Sequence, residues 1–596
     1  MVSRASKLRF RRRLRLRQKQ VEQFGITAED QLERNFFKRL ERLTNVRRFV
    51  ITWLLLLGLL AGCVTAQIRS LGAYYQVPAP APGGTYTEGI LGSFTNANPL
   101  YATGQVDLAV SKLLFAGLFT YDQSNNLKGD LAESIKSDER GIVYTVTLKP
   151  NLLWQDGKPL TAEDVAFTYD VIQNPDAQSP FLSSWQGIRV KAVDKRTVTF
   201  TLPSQLSSFP YSLTNGIVPK HVLGQYSTRS LRSLPFNTSK PVGAGPFSLS
   251  ALEVTGTDAT NREERIAFTP FDGYNGGKPK LDRFVIHSFR DQDQMLSSYR
   301  VQDINAMVGL TNVPEQVKTD ASSRIYTIPL TAAAMTFFRT TSPVLSDKTV
   351  RQALVRATDT KRIIDNLDYP TLPVREPILQ SQVGYNPAYA QFGFDLAGAQ
   401  SQLQQAGWTP GSDGIRRKDG KPLSFNLFAQ DNSEYATVAK ELSKQWRRAG
   451  VDAKVSLKSS TDFQVTLSSH DYDALLYGIS IGKDPDVYVY WDSKNADVRS
   501  AGRLNFSEYK SEVADAALQS GRTRTDPTLR MIKYQPFLQA WRDDAPAVGL
   551  YQPRFLYISH SKVYGLSEHA INAETERYTN VQNWMVRETN VPQAKR

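Results

Sequence analysis

The stretch GKPLTAEDVAFTYD (157–170) reads as a turn that feeds a capped helix. Thr161 and Asp164 stand in capping-box spacing, in which each residue satisfies a backbone N–H of the other at the start of a helix. Ala162, Val165, Ala166 and Tyr169 then fall on one face. Just upstream, YTVTLKP (144–150) alternates apolar and polar residues, as a half-buried strand does. Downstream, VKAVDKRTVTFTL (190–202) reads as a hairpin turning at Asp194 and Lys195.

Further along, LSFNLFAQ (423–430), EYATVAKELSKQWRRAG (434–450) and VDAKVSL (451–457) form a strand, helix, strand unit. Val438, Leu442 and Trp446 line up on the helix, and Gly450 stops it. Strand and helix signals alternate through most of the chain, which predicts mixed α/β architecture with parallel sheet in the second half. No second cysteine exists to pair with Cys63, so the body is expected to be held by buried core. Its size implies several lobes, because single cores stop growing near ~250–300 residues.

The N-terminal part has a different character. Residues 49–68 carry no charge between Arg48 and Arg69, enough for a helix to cross a hydrocarbon layer of ~30 Å. The 48 residues before them hold fifteen Lys plus Arg against five Asp plus Glu, most of the chain's formal +14. Basic flanks stay cytoplasmic, so residues 1–48 are expected inside and residues 69–596 outside. The run RFRRRLRLRQK (9–19) fits orientation and anionic headgroups better than nucleic acid, given the adjacent span. Leu32, Phe36, Leu40 and Leu43 recur at helical spacing, which predicts an amphipathic segment on the inner face. Residues 69–83 read as a Pro-rich linker.

Leu60, Ala61, Gly62 and Cys63 form the L-A-G-C pattern of a lipoprotein signal, and lipidation of Cys63 is one reading. The long segment before it exceeds a signal's short n-region, and apolar character runs on through Val64, Ala66 and Ile68. An uncleaved single-pass anchor is therefore the expectation.

Catalytic motifs are weak. GISIG (478–482) fits G-x-S-x-G, but Pro485 follows closely where a helix would have to start, so Ser480 as a nucleophile is the lesser reading. GYNGGKPK (273–280) has the wrong spacing for a phosphate loop and reads as a turn. The five histidines are scattered, and no zinc pattern is present. These features predict no catalytic residues, no metal and no cofactor; a tethered binding module outside a membrane is favoured over an enzyme.

The opening stretch, preceded by LAESI (131–135), YTVTLKP and LWQD (153–156), resembles the signature region of the family 5 extracellular solute-binding proteins, the peptide receptors of ABC importers. PVGAGPF (241–247), YNGGKPKLDRF (274–284), DKTVRQALVRATD (347–359) and QQAGWTPGSDGIRRKDGKPL (404–423) continue the likeness in order. It implies a two-lobed periplasmic-binding-protein type II fold, mixed α/β, with an inserted extra domain. Carried over, lobe I would hold 84–118, 206–332 and 547–596, the inserted domain 119–205, and lobe II 333–546.

The resemblance also implies a site. The backbone of Gly478, Ile479 and Ser480 would pair with a peptide ligand as an added strand does. In the oligopeptide receptors an aspartate just beyond holds the peptide ammonium. Here Gly482 or Lys483 occupies that place, which leaves Asp484 as the amine anchor or, with Asp486, as a residue that shapes a Pro turn. Tyr490 and Trp491 would wall the pocket or fill core. The implied partners are a peptide and ABC permease subunits, for a monomer anchored in the membrane. The alternative cargo is a non-peptide solute: a glycan fragment, metal chelate or opine-like compound. A solute sensor without a transporter would differ only in its partners.

Overall fold

The structure is a computed structural model, described for residues 47–74, 76–256, 262–367, 369, 371–500 and 504–592. The amphipathic segment expected within 1–48 lies almost wholly outside the described residues. The chain forms two compact units, residues 1–79 with 588–596 and residues 80–587.

In the first unit, Arg47–Tyr74 is one helix whose stretch Phe49–Ser70 is apolar enough and long enough to cross a membrane. The linker expected at 69–83 is not a free stalk. The helix runs on to Tyr74, and Gln76–Ala81 pairs with Arg587–Pro592 in a two-stranded sheet. Prolines are tolerated in such a strand because an edge position does not need every N–H.

The second unit is built on two large sheets. The first runs in the order Arg324–Pro329, Arg554–Ser559, Ala306–Val308, Thr85–Leu91, Arg283–Phe289, Glu263–Pro270, Phe247–Thr255. Thr85–Leu91 lies at its centre, parallel to both neighbours and buried from Tyr86 to Ile90. The second sheet runs Asp452–Lys458, Ser424–Gln430, Ala474–Ser480, Ala332–Phe338, Ala547–Tyr551. The predicted strand, helix, strand unit supplies its parallel pair, with Ser433–Arg448 packing Val438, Leu442 and Trp446 inward and Gly450 at φ +89°.

Ala332–Phe338 is buried along its whole length, because helices cover both faces of this sheet. Its neighbours Phe337 and Phe338 point to opposite faces and enter separate cores, one around Trp491 and Trp541 and one around Trp446. Ala547–Tyr551, expected with the first lobe, pairs with Ala332–Phe338 in this second sheet instead. Its fully apolar, continuously buried run suits the interior of a two-face sheet.

A four-stranded antiparallel sheet, Ala132–Ser137, Val143–Leu148, Thr197–Thr201, Arg189–Ala192, carries the opening stretch. Its helix is Ala162–Gln173, with Asp164 Oδ2 accepting from Thr161 N at 2.8 Å and Oδ1 from Lys220 N at 2.9 Å. The hairpin turns where expected, Asp194 Oδ1 accepting from the N–H groups of Arg196 and Thr197.

The two large sheets are joined by adjacent crossings at residues 330–331 and 552–553. Leu330 N donates to Pro553 O at 3.0 Å, and Gln552 Nε2 returns a bond to Leu330 O at 2.7 Å. Next to them a buried ion pair binds the start of the body to its end. Arg577 Nη2 donates to Glu88 Oε2 at 2.8 Å and Nε to Oε1 at 3.2 Å, and the Tyr578 hydroxyl also donates to Glu88. Neither charged group reaches solvent, with side-chain exposures of 2% and 0%.

Removing one member of such a pair strands the other, at a cost of about 3–5 kcal/mol. Arg577→Ala is therefore expected to lower the thermal midpoint sharply, and Glu88→Gln combined with Arg577→Met to lower it less. Among the described residues, a second buried carboxyl, Glu376, accepts on one oxygen from the Asn386 N–H at 3.2 Å and has no hydrogen-bond partner on the other. Burial pushes it from 4.5 up to about 7. The folded state then holds this proton more tightly than the unfolded one, so its contribution to stability falls as pH rises from about 4.5 to about 7. Glu376→Gln should gain thermal stability over the unaltered protein at pH 8 relative to pH 5; an equal difference at both pH values would contradict this.

Candidate functional site

The crossings floor a cleft between the two large sheets. A central cavity of about 410 Å³ is lined by Leu330, Ala332 and Pro553 at the crossings, by Ile90 and Val308 of the first sheet, and by Gly478, Ile479 and Ser480 of the second. A cavity of about 200 Å³ shares Gln105, Tyr435, Pro553 and Glu574 with it. Another, of about 270 Å³, shares Leu108, Ala573 and Thr575. The three cavities adjoin through these shared wall residues.

The helix Gln105–Leu114 runs along this cleft because its sequence has two faces. Val106, Ala109, Val110, Leu113 and Leu114 are buried in the core, while Gln105, Leu108 and Lys112 line the cavities. Asp107 sets its start by accepting from Thr95 N (2.7 Å), Thr95 Oγ1 (2.6 Å) and Asn96 N (3.0 Å).

The strand Ala474–Ser480 contributes an open edge. On one side it pairs with Ala332–Phe338 through to Ser480. On the other, its partner Ser424–Gln430 is matched only as far as Ala429 opposite Leu476. On that second side Tyr477 to Ser480 therefore have no strand partner among the described residues, and the last three of them face the central cavity. Gly478 lies close against a neighbour there: a Cβ would sit 2.7 Å from the Tyr435 hydroxyl oxygen, which would have to shift. After Ser480 the chain leaves the cleft. Ile481 N and Gly482 N both donate to Thr331 O at 3.0 Å, and Gly482 turns at φ +77°.

That turn decides the fate of the remaining expected residues. Asp484, expected at the ligand amine, is gripped bidentately by Arg530, with Nη1 to Oδ2 at 2.7 Å and Nη2 to Oδ1, the side chains 9% and 8% exposed. Its charge is matched inside the protein and it does not line the cavities. Asp486 accepts from Arg522 Nη2 and Ser208 Oγ, each at 2.9 Å, and so it too is occupied. Trp491 is core, packed 5.6 Å from Phe337 and 5.8 Å from Trp541. The Tyr490 hydroxyl donates to Ser480 O at 2.8 Å and is pushed up to about 12, mainly by burial; it braces the strand end.

Ser480 has no helix behind it and ends an exposed strand tip. The ring nitrogens of His221 and His287 are bonded to Asp156 and Glu263, and His560 Nε2 to Tyr299 O, so these rings serve other carboxylates and carbonyls.

Tyr435, Gln105, Leu108 and Glu574 line the cleft without any sequence signal that marks them. They sit in ordinary helices or, for Glu574, in a short 3₁₀ segment, and only the fold brings them together.

Gly478→Ala should overpack this wall and cost about 1–3 kcal/mol. Adding Tyr435→Phe removes the obstructing oxygen, so the double variant is expected to recover most of the loss in thermal midpoint; no recovery would place the clash elsewhere.

Residues 126–500 match the model of the bacterial extracellular solute-binding proteins, family 5 Middle. The chain is 28% identical over 510 residues to the oligopeptide-binding protein AppA of Bacillus subtilis (strain 168), covering 83% of this chain and 91% of that one. The crystal structure of that protein with a nonapeptide superposes with a TM-score of 0.69 at 25% identity, over 85% of this chain and 100% of the other. NikZ from Campylobacter jejuni, in complex with Ni(L-His), gives a TM-score of 0.72 at 25% identity, over 84% and 99%. The fold is thus the two-lobed, mixed α/β one of these binding proteins, and the chain belongs to the bacterial extracellular solute-binding proteins, family 5.

Proposed function

We propose that the protein is the extracytoplasmic substrate-binding component of an ABC importer and that it holds a peptide in the cleft for delivery to permease subunits. The open strand edge at Gly478, Ile479 and Ser480, facing a cavity of about 410 Å³, carries this reading. A peptide main chain laid along that edge supplies the missing strand partner and satisfies its N–H and C=O groups. The oligopeptide-binding relative supports it. Tyr490 holds the edge in place through its bond to Ser480 O. The protein performs no chemistry on its ligand and works as a monomer.

The lobes are 84–118 with 206–332 and the C-terminal segment, and 333–546 extended by the strand Ala547–Tyr551; residues 119–205 form the inserted domain. They hinge at the paired crossings. Ser208 Oγ meets Asp486 Oδ2 at 2.9 Å and Thr311 Oγ1 meets Ser433 Oγ at 3.4 Å between them. The stretch Phe49–Ser70 anchors the chain uncleaved, with the basic residues inside. Lipidation at Cys63, exposed on that helix, is the alternative.

A non-peptide solute such as a metal chelate is the second reading, favoured by the similarity to the Ni(L-His) complex. Native mass spectrometry of protein purified from rich medium separates the two: peptide masses are expected, and a bound population without any would overturn the first. Intact mass of the membrane-extracted protein should include the residues that precede Cys63; a chain beginning at a lipid-modified Cys63 would overturn the uncleaved anchor.

A further inference from the structure

The run Asp484, Pro485, Asp486 lies where the sequence predicts a ligand contact, yet both carboxylates turn to arginines on helices of their own lobe. Asp486 has a second partner. Its Oδ2 accepts from Arg522 Nη2 and from Ser208 Oγ, each at 2.9 Å, while its buried Oδ1 has no hydrogen-bond partner among the described residues. Arg522 ends the helix Glu512–Arg522, so its carbonyl has no partner within that helix. Ser207 supplies one from the other lobe, donating to it through N at 2.9 Å and through Oγ at 2.8 Å. Three hydrogen bonds from two adjacent serines thus converge on one arginine and its aspartate.

The serines are fastened on their own side. Tyr144 Oη donates to Leu206 O at 3.1 Å, and the buried Phe209 ring lies 4.9 Å from Tyr144, 5.5 Å from Phe200 and 5.9 Å from Trp185. Residues 206–209 therefore move with the core of the four-stranded sheet, in the inserted domain. Two residues on, the Tyr211 hydroxyl is raised by burial and then by the charge of Asp484, which sets the other aspartate of the run against the same segment. None of Ser207, Ser208, Asp486 and Arg522 lines the central cavity or the two beside it.

We propose that Ser207, Ser208, Asp486 and Arg522 form a latch that holds the inserted domain against lobe II and favours this arrangement of the lobes before any ligand is bound. The proposal rests on the two-lobe hinge reading above. Parting the lobes returns these groups to water, so each bond contributes only its net difference, and the latch biases the hinge without locking it. A ligand that needs this arrangement gains affinity in proportion to the fraction of protein already in it. Residues that never touch the ligand then help set how tightly it is held.

The test uses the full chain in detergent as C63S with K195C and K444C, exposed positions on the inserted domain and on lobe II, and reads the distance between spin labels there. Without ligand, one narrow distance is expected. S207A combined with S208A should raise the share of a second distance about tenfold or more, the scale of a hydrogen bond to a charged group. S207T with S208T keeps the hydroxyls and should keep the narrow distance. A mixed-sequence peptide library should return the alanine variant to it; a second distance that persists with the library still supports the latch and removes the peptide reading. An alanine variant that melts normally with an unchanged distribution overturns the latch. If the library then narrows that distribution, the hinge reading stands; if nothing changes it, the hinge reading falls as well.

Discussion

The buried pair of Glu88 and Arg577 is the constraint on which the cleft depends. It joins the central strand of the first sheet to a segment 489 residues later in the chain. An arginine and a glutamate taken this far from water are stable only with near-complete hydrogen bonding. Here Glu88 is met by Arg577 and by the Tyr578 hydroxyl, and Arg577 by the Glu574 carbonyl as well. The pair is thus more than a staple: its spare donor fixes the backbone of a residue that faces the ligand cavity.

The cleft is shaped by where pairing stops. Ala474–Ser480 outruns its partner Ser424–Gln430, and the stretch beyond Leu476 becomes an edge with no strand on that side among the described residues. An edge of this kind is ordinarily a hazard for association. In this protein it opens into a cavity walled by both sheets. Thr331 ties that edge to the crossing by accepting from Ile481 N and Gly482 N, so hinge and site share one residue.

Local readings succeeded where the chemistry is local. The capping box at Thr161 and Asp164, the turn at Asp194 and the stop at Gly450 each rest on bonds or torsions within a few residues, and each forms as read. GISIG was legible as a glycine-flanked strand end, and the structure gives the reason for its first glycine in the Tyr435 hydroxyl. The stretch at 69–83 misled because proline-rich composition says nothing about a strand partner more than five hundred residues away. Asp484 and Asp486 misled because their arginine partners, Arg530 and Arg522, lie on helices that sequence spacing does not connect to them.

By itself the sequence determined the alternation of strands and helices, the apolar span with its basic flank, and the ordered motifs that mark the family, since all of these are written in short-range pattern and composition. Only the tertiary structure decided which carboxylates are answered from within the protein. That distinction depends on charges that meet from distant segments: Asp484 with Arg530, and Glu88 with Arg577. Burial and pairing are properties of assembled surfaces, and no spacing along the chain encodes them.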